Sequence, residues 1–255
     1  MIHPTAIIDP AAELAAGVAV GPYCVIGAGV RLGEGCVLHS QVTLTGPALI
    51  GARNVFFPGA CIGGVTQDLK YRGEPTFLEV GDDNVFREYT TVNRGTLGGA
   101  KTSIGSHNLF LAYCHIAHDC QVGNHVIFSN NGTLAGHVVV EDHVILGGLT
   151  AVHQFCRLGR HAITGGCSKI VQDVPPFMIV DGNPAAVRGV NAVGLQRGGY
   201  GEAAIRPLKQ AYKSIFMRGQ ALSEALEEIR PLALESPEVA HLAAFIASSS
   251  RGIIR

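Results

Sequence analysis

The sequence has no tryptophan, only three methionines and almost no net charge, its 19 Lys and Arg against 20 Asp and Glu leaving −1 at neutral pH. A nucleic-acid binder would show a strong basic excess, and there is none. No uninterrupted apolar run approaches the roughly 18–20 residues of a transmembrane helix, so no span is expected. The opening MIHPTAIIDP lacks the charged and apolar regions of a secretory signal, which makes the cytoplasm the expected location. The seven cysteines contain no CxxC pair, and their odd, unpaired number suits a reducing compartment. The familiar periodicities, near 3.6 for a helix and 2 for a half-buried strand, do not describe the chain either.

A period of six does. Counting from Ile2, the series Ile8, Leu14, Val20, Ile26, Leu32, Leu38, Leu44, Ile50, Phe56 and Ile62 is aliphatic or Phe throughout. Of the 29 slots from 2 to 170, only Asp68, Glu74, Gly98 and Thr164 break the rule. Four residues after the lead the side chain is usually small, as at Cys24, Cys36, Ala48, Ala60, Cys114, Cys120, Cys156 and Ala162. The residue after the lead is often Gly, as at Gly21, Gly33, Gly81, Gly105 and Gly147, which is expected to serve the turn. This pattern predicts an all-β solenoid: a parallel β-helix of hexapeptide repeats, three hexads to a triangular coil, each coil burying its neighbour's face. Leads fill the interior, and Cys in the small position acts as a small hydrophobe.

The register fails near 67–77 (QDLKYRGEPTF) and 97–103 (LGGAKTS), and returns in phase both times. Such segments are loops leaving one corner of a rigid scaffold, the kind of place that carries function. Gln67, Asp68, Lys70 and Tyr71 form a polar cluster suited to a sugar or phosphate. The repeat stops at Pro175 and Pro176. From about Gly201 the pattern turns helical, with Ile205, Leu208, Tyr212 and Ile215 on one stripe. Ser223 and Ser236 are candidate N-caps for helices over 224–230 and 237–248. With 255 residues, the chain divides into a large β-helical domain, 1–184, and a smaller helical one, 185–255. Residues from 185 onward hold nine of the 19 basic but six of the 20 acidic residues, and Arg206, Lys209 and Lys213 share a face that would suit an acidic partner.

None of the repeat's histidines falls on an inward slot. His107, His125, His143 and His161 read as ordinary surface residues. His115 and His118, in YCHIAHDCQ with Asp119 adjacent, form a candidate general-base cluster, and His137 and His153 join them as outward residues. They lie on different coils, so facing sides of two subunits in a three-fold oligomer could build one cleft. Two chemistries fit outward histidines on such a prism. Zinc hydration, as in gamma-class carbonic anhydrases, needs three imidazoles and an open fourth position. Acyl transfer needs one His base, an oxyanion donor and a groove.

The strings QDLKY, HIAHDC, LAGHV, TAVHQFC, GGCS and QDVPP, in this order and spacing, closely resemble the cytoplasmic, acyl-carrier-protein-dependent UDP-N-acetylglucosamine acyltransferases that open lipid A synthesis. The likeness runs through the whole chain to the terminal SSSRGIIR. It implies a homotrimer, left-handed coils, and transfer of a 3-hydroxyacyl group from acyl carrier protein to the sugar's 3-position. No metal or separate cofactor is implied, since the donor is acyl-phosphopantetheine on the carrier. By resemblance, His118 is the base, Asp119 orients it, and the Gly136 backbone N–H is the oxyanion donor. Gln67 matches a sugar-phosphate contact, Asp68 and Lys70 contacts to sugar and donor, and His115, His137 and Gln154 substrate contacts. His153 lies along the acyl groove, Gly166 at its chain-length stop, and Asn191 and Arg197 in the nucleotide-binding stretch. Departures from the family pattern are Asn93 for a usual His, Val193 for a common Glu, and Gly198 for an Arg. They fall near the sugar and leave open whether the acceptor carries a 3-hydroxyl or a 3-amino group.

Overall fold

A computed structural model describes all 255 residues. The chain winds as a left-handed parallel β-helix whose short strands stack into three faces. The first face has nine strands, from Ile7–Ile8 to Lys169–Ile170; the second has eight, from Glu13–Leu14 to Arg157–Leu158. The third has ten and ends with Met178–Gly182 and Ala185–Val190. Hydrogen bonds run between coils: Ile7 pairs with Val25 and Val25 with Thr43, each 18 residues on. A coil cannot satisfy its own strand donors, so stability is cooperative along the stack.

From Val20 to Ile170 every aliphatic or Phe lead is buried, as the hexad requires. Phe56, Phe86, Phe110 and Phe128 form a column with ring centroids 5.1, 5.1 and 5.2 Å apart. Cys24, Cys36, Cys114, Cys120 and Cys156 are buried and free; burial pushes the Cys120 thiol up to about 12. Three members of the small interior column are Asn54, Asn84 and Asn108. Their amides cap one corner, with Asn84 Nδ2 donating to Asn54 Oδ1 at 2.9 Å and Asn108 Oδ1 accepting from Val126 N at 2.7 Å.

The corners correct one expectation. Gly following the lead is not needed for unusual dihedrals: at Gly21 and Gly33 a Cβ would lie 2.6 and 2.5 Å from the backbone of the next coil. Those glycines permit close coil stacking. The left-handed conformation falls two residues later and is mostly held by other residues. On the corner between the second and third faces these are Arg53, Asp83, His107, His125, His143 and His161, with φ between 55° and 60°.

The excursions occupy 65–76 and 94–100, while Phe77–Val80 and Lys101–Ile104 are four-residue strands. The first loop therefore starts two residues before the expected 67–77, and the second lies three residues ahead of the expected 97–103. Cys61 pairs with Thr91, 30 residues on, and Thr91 with His115, 24 on, so the insertions add twelve and six residues and preserve phase. The loops meet at Thr66 and Thr96, whose hydroxyls are 2.9 Å apart.

The sheet outlasts Pro175 and Pro176. Met178–Gly182 continues the third face in parallel with Ile163–Thr164 and pairs antiparallel with Ala185–Val190. The 184/185 division therefore falls inside a hairpin. Four helices follow: α1 (Ala192–Arg197), α2 (Glu202–Tyr212), α3 (Leu222–Glu235) and α4 (Pro237–Ala247), with a π-helical turn at Lys213–Met217. Ser236 caps α4, its hydroxyl accepting from Val239 N at 3.4 Å, but α3 starts ahead of Ser223 and runs through Pro231. Ile205, Leu208 and Ile215 bury the expected stripe in a second core with Leu195, Ile229, Leu242 and Phe245, while Tyr212 is half-buried. No helix is long and apolar enough to cross a membrane.

Candidate active site

The 18-residue register builds the site on the corner between the first and second faces. His118, Gly136 and Gln154 fall in one column; Asp119, His137 and Phe155 in the next, with φ of 60°, 60° and 64°. The His118 Nδ1 and Asp119 Oδ2 lie 2.8 Å apart, so Nδ1–H donates to the carboxylate and Nε2 is left free. Asp119 is anchored in turn: its N–H donates to Thr102 Oγ1 at 2.8 Å and its Oδ1 accepts from Thr96 N at 3.3 Å. His137 Nε2 lies 3.7 Å from Asp119 Oδ2, and its ring packs on Phe155 at 4.6 Å and edge-on to His118 at 5.2 Å.

Gly136 sits directly over the His118 ring. A Cβ there would come within 2.4 Å of Cε1 and 2.5 Å of Nε2, so only glycine lets the imidazole occupy this place. No group of the chain accepts from the Gly136 N–H. The free imidazole nitrogen and the glycine whose N–H has no partner in the chain are therefore neighbours on adjacent coils.

The first excursion closes the site. Asp68 Oδ2 is 4.0 Å from His118 Nε2. The Asp68 carboxyl is held below its ordinary range chiefly by the Lys70 backbone N–H, which donates to it at 2.8 Å. Gln67 and Lys70 are exposed beside it. Asn93 is buried, ends the strand that pairs with His115–Ile116, and donates Nδ2 to Val65 O at 3.0 Å, while its Oδ1 has no partner. His115 Nδ1 lies 2.7 Å from Thr91 Oγ1, and burial, then His118, pushes its imidazole down. His153 and Gln154 are exposed one coil above.

The other expected residues are not in this cluster. Gly166 is exposed on the corner between the third and first faces, where a Cβ meets nothing nearer than Gly148 O at 3.4 Å. Asn191 and Arg197 flank α1, and Asn191 Nδ2 donates to His161 O at 2.9 Å on the corner between the second and third faces. His161 itself is a correction. It is 8% exposed beneath the helices, not an ordinary surface residue. Thr91, Thr96, Thr102 and Phe155 were not foreseen; only Thr102, in the small position of its hexad, carried a signal.

The ligand atoms of His118, Asp119 and His137 lie within 4.8 Å of one another and could hold a metal ion. This set is two imidazoles and a carboxylate. In it the carboxylate already engages one imidazole, unlike the three-imidazole set of a hydratase.

A left-handed hexapeptide prism with an outward His–Asp pair facing a free backbone donor defines the hexapeptide-repeat transferase class. A family profile described as bacterial transferase hexapeptide (six repeats) matches residues 101–136. Another, UDP N-acetylglucosamine O-acyltransferase domain 2, matches 173–254. The acyl-[acyl-carrier-protein]–UDP-N-acetylglucosamine O-acyltransferase of Alkalilimnicola ehrlichii is 53% identical over 255 residues, covering 100% of this chain and 99% of its own. The structure of LpxA from Acinetobacter baumannii aligns with TM-score 0.96 at 46% identity, over 100% of this chain and 99% of its own. The Francisella novicida UDP-N-acetylglucosamine acyltransferase gives 0.96 at 36%, over 100% and 94%. The chain belongs to the acyl-[acyl-carrier-protein]–UDP-N-acetylglucosamine O-acyltransferase family.

Proposed function

We propose that the chain moves a 3-hydroxyacyl group from acyl carrier protein to the 3-position of UDP-N-acetylglucosamine, the first step of lipid A synthesis, with His118 as general base. The observation that carries this reading is the His118 imidazole, tethered through Nδ1 to Asp119 and free at Nε2 beneath Gly136, whose N–H has no partner in the chain. Nε2 takes the proton of the sugar hydroxyl as its oxygen attacks the thioester carbonyl. The carbonyl oxygen becomes an oxyanion and receives the Gly136 N–H. Collapse expels the phosphopantetheine thiolate, which recovers the proton from the imidazolium. Asp119 fixes the tautomer and stabilises the transient cation. Asp68, Lys70, Gln67, His115, His137, Gln154 and Asn93 hold the sugar and donor, His153 borders the acyl chain, and Gly166 leaves room for a long one.

Asn191 and Arg197 stand on a different corner from His118, so we assign them to a neighbouring subunit's site in a homotrimer. The outward column of the third face supports association. Val37, Val55, Val85, Leu109, Ile127, Ile145 and Ile163 form an unbroken aliphatic stripe, partly exposed in the single chain. A stripe of this kind marks an interaction surface.

A single assay tests the reaction: 3-hydroxyacyl carrier protein with equal amounts of hydroxyl and 3-amino UDP-sugars, using wild type and His118→Ala. The wild type is expected to give mainly ester, and His118→Ala to lose about 10²–10⁴ in rate while keeping its fold. Near-normal turnover by the variant would remove the base assignment; a mainly amide product would give the acceptor a 3-amino group.

A further inference from the structure

Four of the chain's eleven histidines stand on one corner, away from the proposed proton transfer. His107, His125, His143 and His161 stack rung upon rung, with ring centroids 4.9, 4.9 and 4.5 Å apart and planes within 7° of parallel. Three of them are exposed. His161, the topmost, is covered by the segment running from Asn191 through α1 to Tyr200.

Both ends of that segment are fastened to this one residue. At its start, Asn191 Nδ2 donates to the His161 carbonyl at 2.9 Å, and Asn191 Oδ1 accepts from Gly194 N at 3.1 Å. The amide thus joins the corner to the first turn of α1. At its end, the Tyr200 hydroxyl lies 3.1 Å from His161 Nε2, with the two rings edge-on at 5.0 Å. Phe177 closes the far side of the imidazole at 6.0 Å. Between the fastenings, Val193 and Arg197 are exposed. A six-residue helix has no independent stability in water, so its geometry is borrowed from what holds its ends.

We propose that His161 is a positioning residue for nucleotide-sugar binding, holding the 191–200 segment through Tyr200 so that Arg197 is presented in one fixed orientation. This rests on reading that segment as the nucleotide-binding stretch. His161 does not touch substrate; it acts through its neighbours. Its surroundings keep it neutral, so that Nε2 can accept the Tyr200 proton: burial first, then His143 stacked below and Arg160 beside it, oppose a positive charge, against the weaker pull of Asp142. The His241–Glu141 pair reaches over from α4, with His241 edge-on to Phe177.

The experiment is a set of substitutions in the full-length enzyme: Tyr200→Phe, His161→Phe, their double variant and Arg197→Ala. Phenylalanine at 161 keeps the stack, and Phe177 holds the same left-handed φ on this column, so folding is expected to survive. Each single variant loses the same hydrogen bond. The KM for the sugar nucleotide is expected to rise about two- to tenfold in each, with kcat at saturation and the carrier-donor KM unchanged. The double variant should be no worse than either single one, the signature of a shared interaction. Folded variants with unmoved nucleotide KM, or with both KM values rising together, would overturn the positioning role. If Arg197→Ala also leaves nucleotide KM unmoved, the segment does not bind nucleotide and the proposal falls with that reading. An effect of Arg197→Ala without one from Tyr200→Phe removes the positioning role alone.

Discussion

A single missing carbon at position 136 decides whether His118 can be where it is. Gly136→Ala keeps the backbone N–H but drives a methyl group to 2.4 Å from the imidazole. The ring must leave, and the rate is expected to fall by about 10² or more, with circular dichroism unchanged. Activity near wild type would show that the ring position is not needed. His161 gives a pH prediction. Its imidazole is lowered from 6.5 to about 4 in the folded state, chiefly by burial. A depressed histidine stabilises the fold above the unfolded value and ceases to as pH falls from about 6.5 towards 4. The full loss is on the order of 3 kcal/mol. Between urea melts at pH 7.5 and 4.5, wild type should therefore lose stability relative to His161→Phe, which has no imidazole to titrate there. A stability gap independent of pH would refute this. At this scale the sequence misread His161 as an ordinary surface residue. His118 and His161 are both outward in the hexad, and only the helices folded over one corner make His161 buried.

Among the elements, α2 carries the charge predicted for an acidic partner. Arg206 and Lys209 are exposed on it and Lys213 on the π-helical turn that continues it, while Ile205 and Leu208 are buried. Lys209 Nζ lies 3.6 Å from Glu202 Oε1, which leaves Arg206 and Lys213 as the freer charges. Reversing these two to Glu is expected to raise the KM for the carrier-bound donor several-fold and to flatten its salt dependence, since exposed charges mainly steer encounter. A change in the sugar-nucleotide KM alone would assign this face to the other substrate. The helical stripe and the Ser236 cap were legible because they obey local rules. The strands at Phe77–Val80 and Lys101–Ile104 were not, because their pairing partners lie on the coils before and after.

At the scale of the whole molecule, the aliphatic outer column on one face and the expected site residues on two corners support the proposed homotrimer. Ile127→Glu together with Val85→Glu, both on that column, is expected to lower the mass in solution from trimer to monomer. Activity should be lost in parallel, because each site would lose its neighbour's contribution. Light scattering and turnover measured on the same sample check it. A monomeric wild type, or a fully active monomeric variant, would exclude shared sites.

The period of six by itself determined the coil, because only a residue pointing inward once per face can repeat that way for some 170 positions. It determined the interior columns, and the specific strings around His118 and Asp119 marked the candidate catalytic corner. Tertiary structure decided what depends on stacking: that Gly136 lies over His118 although 18 residues separate them, that Asp68 returns from a loop to face the same imidazole, and that glycine after the lead serves close approach between coils rather than the turn. It also decided that the sheet passes Pro175 and Pro176 into a hairpin, since an added strand is specified by the edge it pairs with and not by its own hexad. Hydrogen bonds between coils connect residues far apart in the chain, and no local pattern encodes which atoms they bring together.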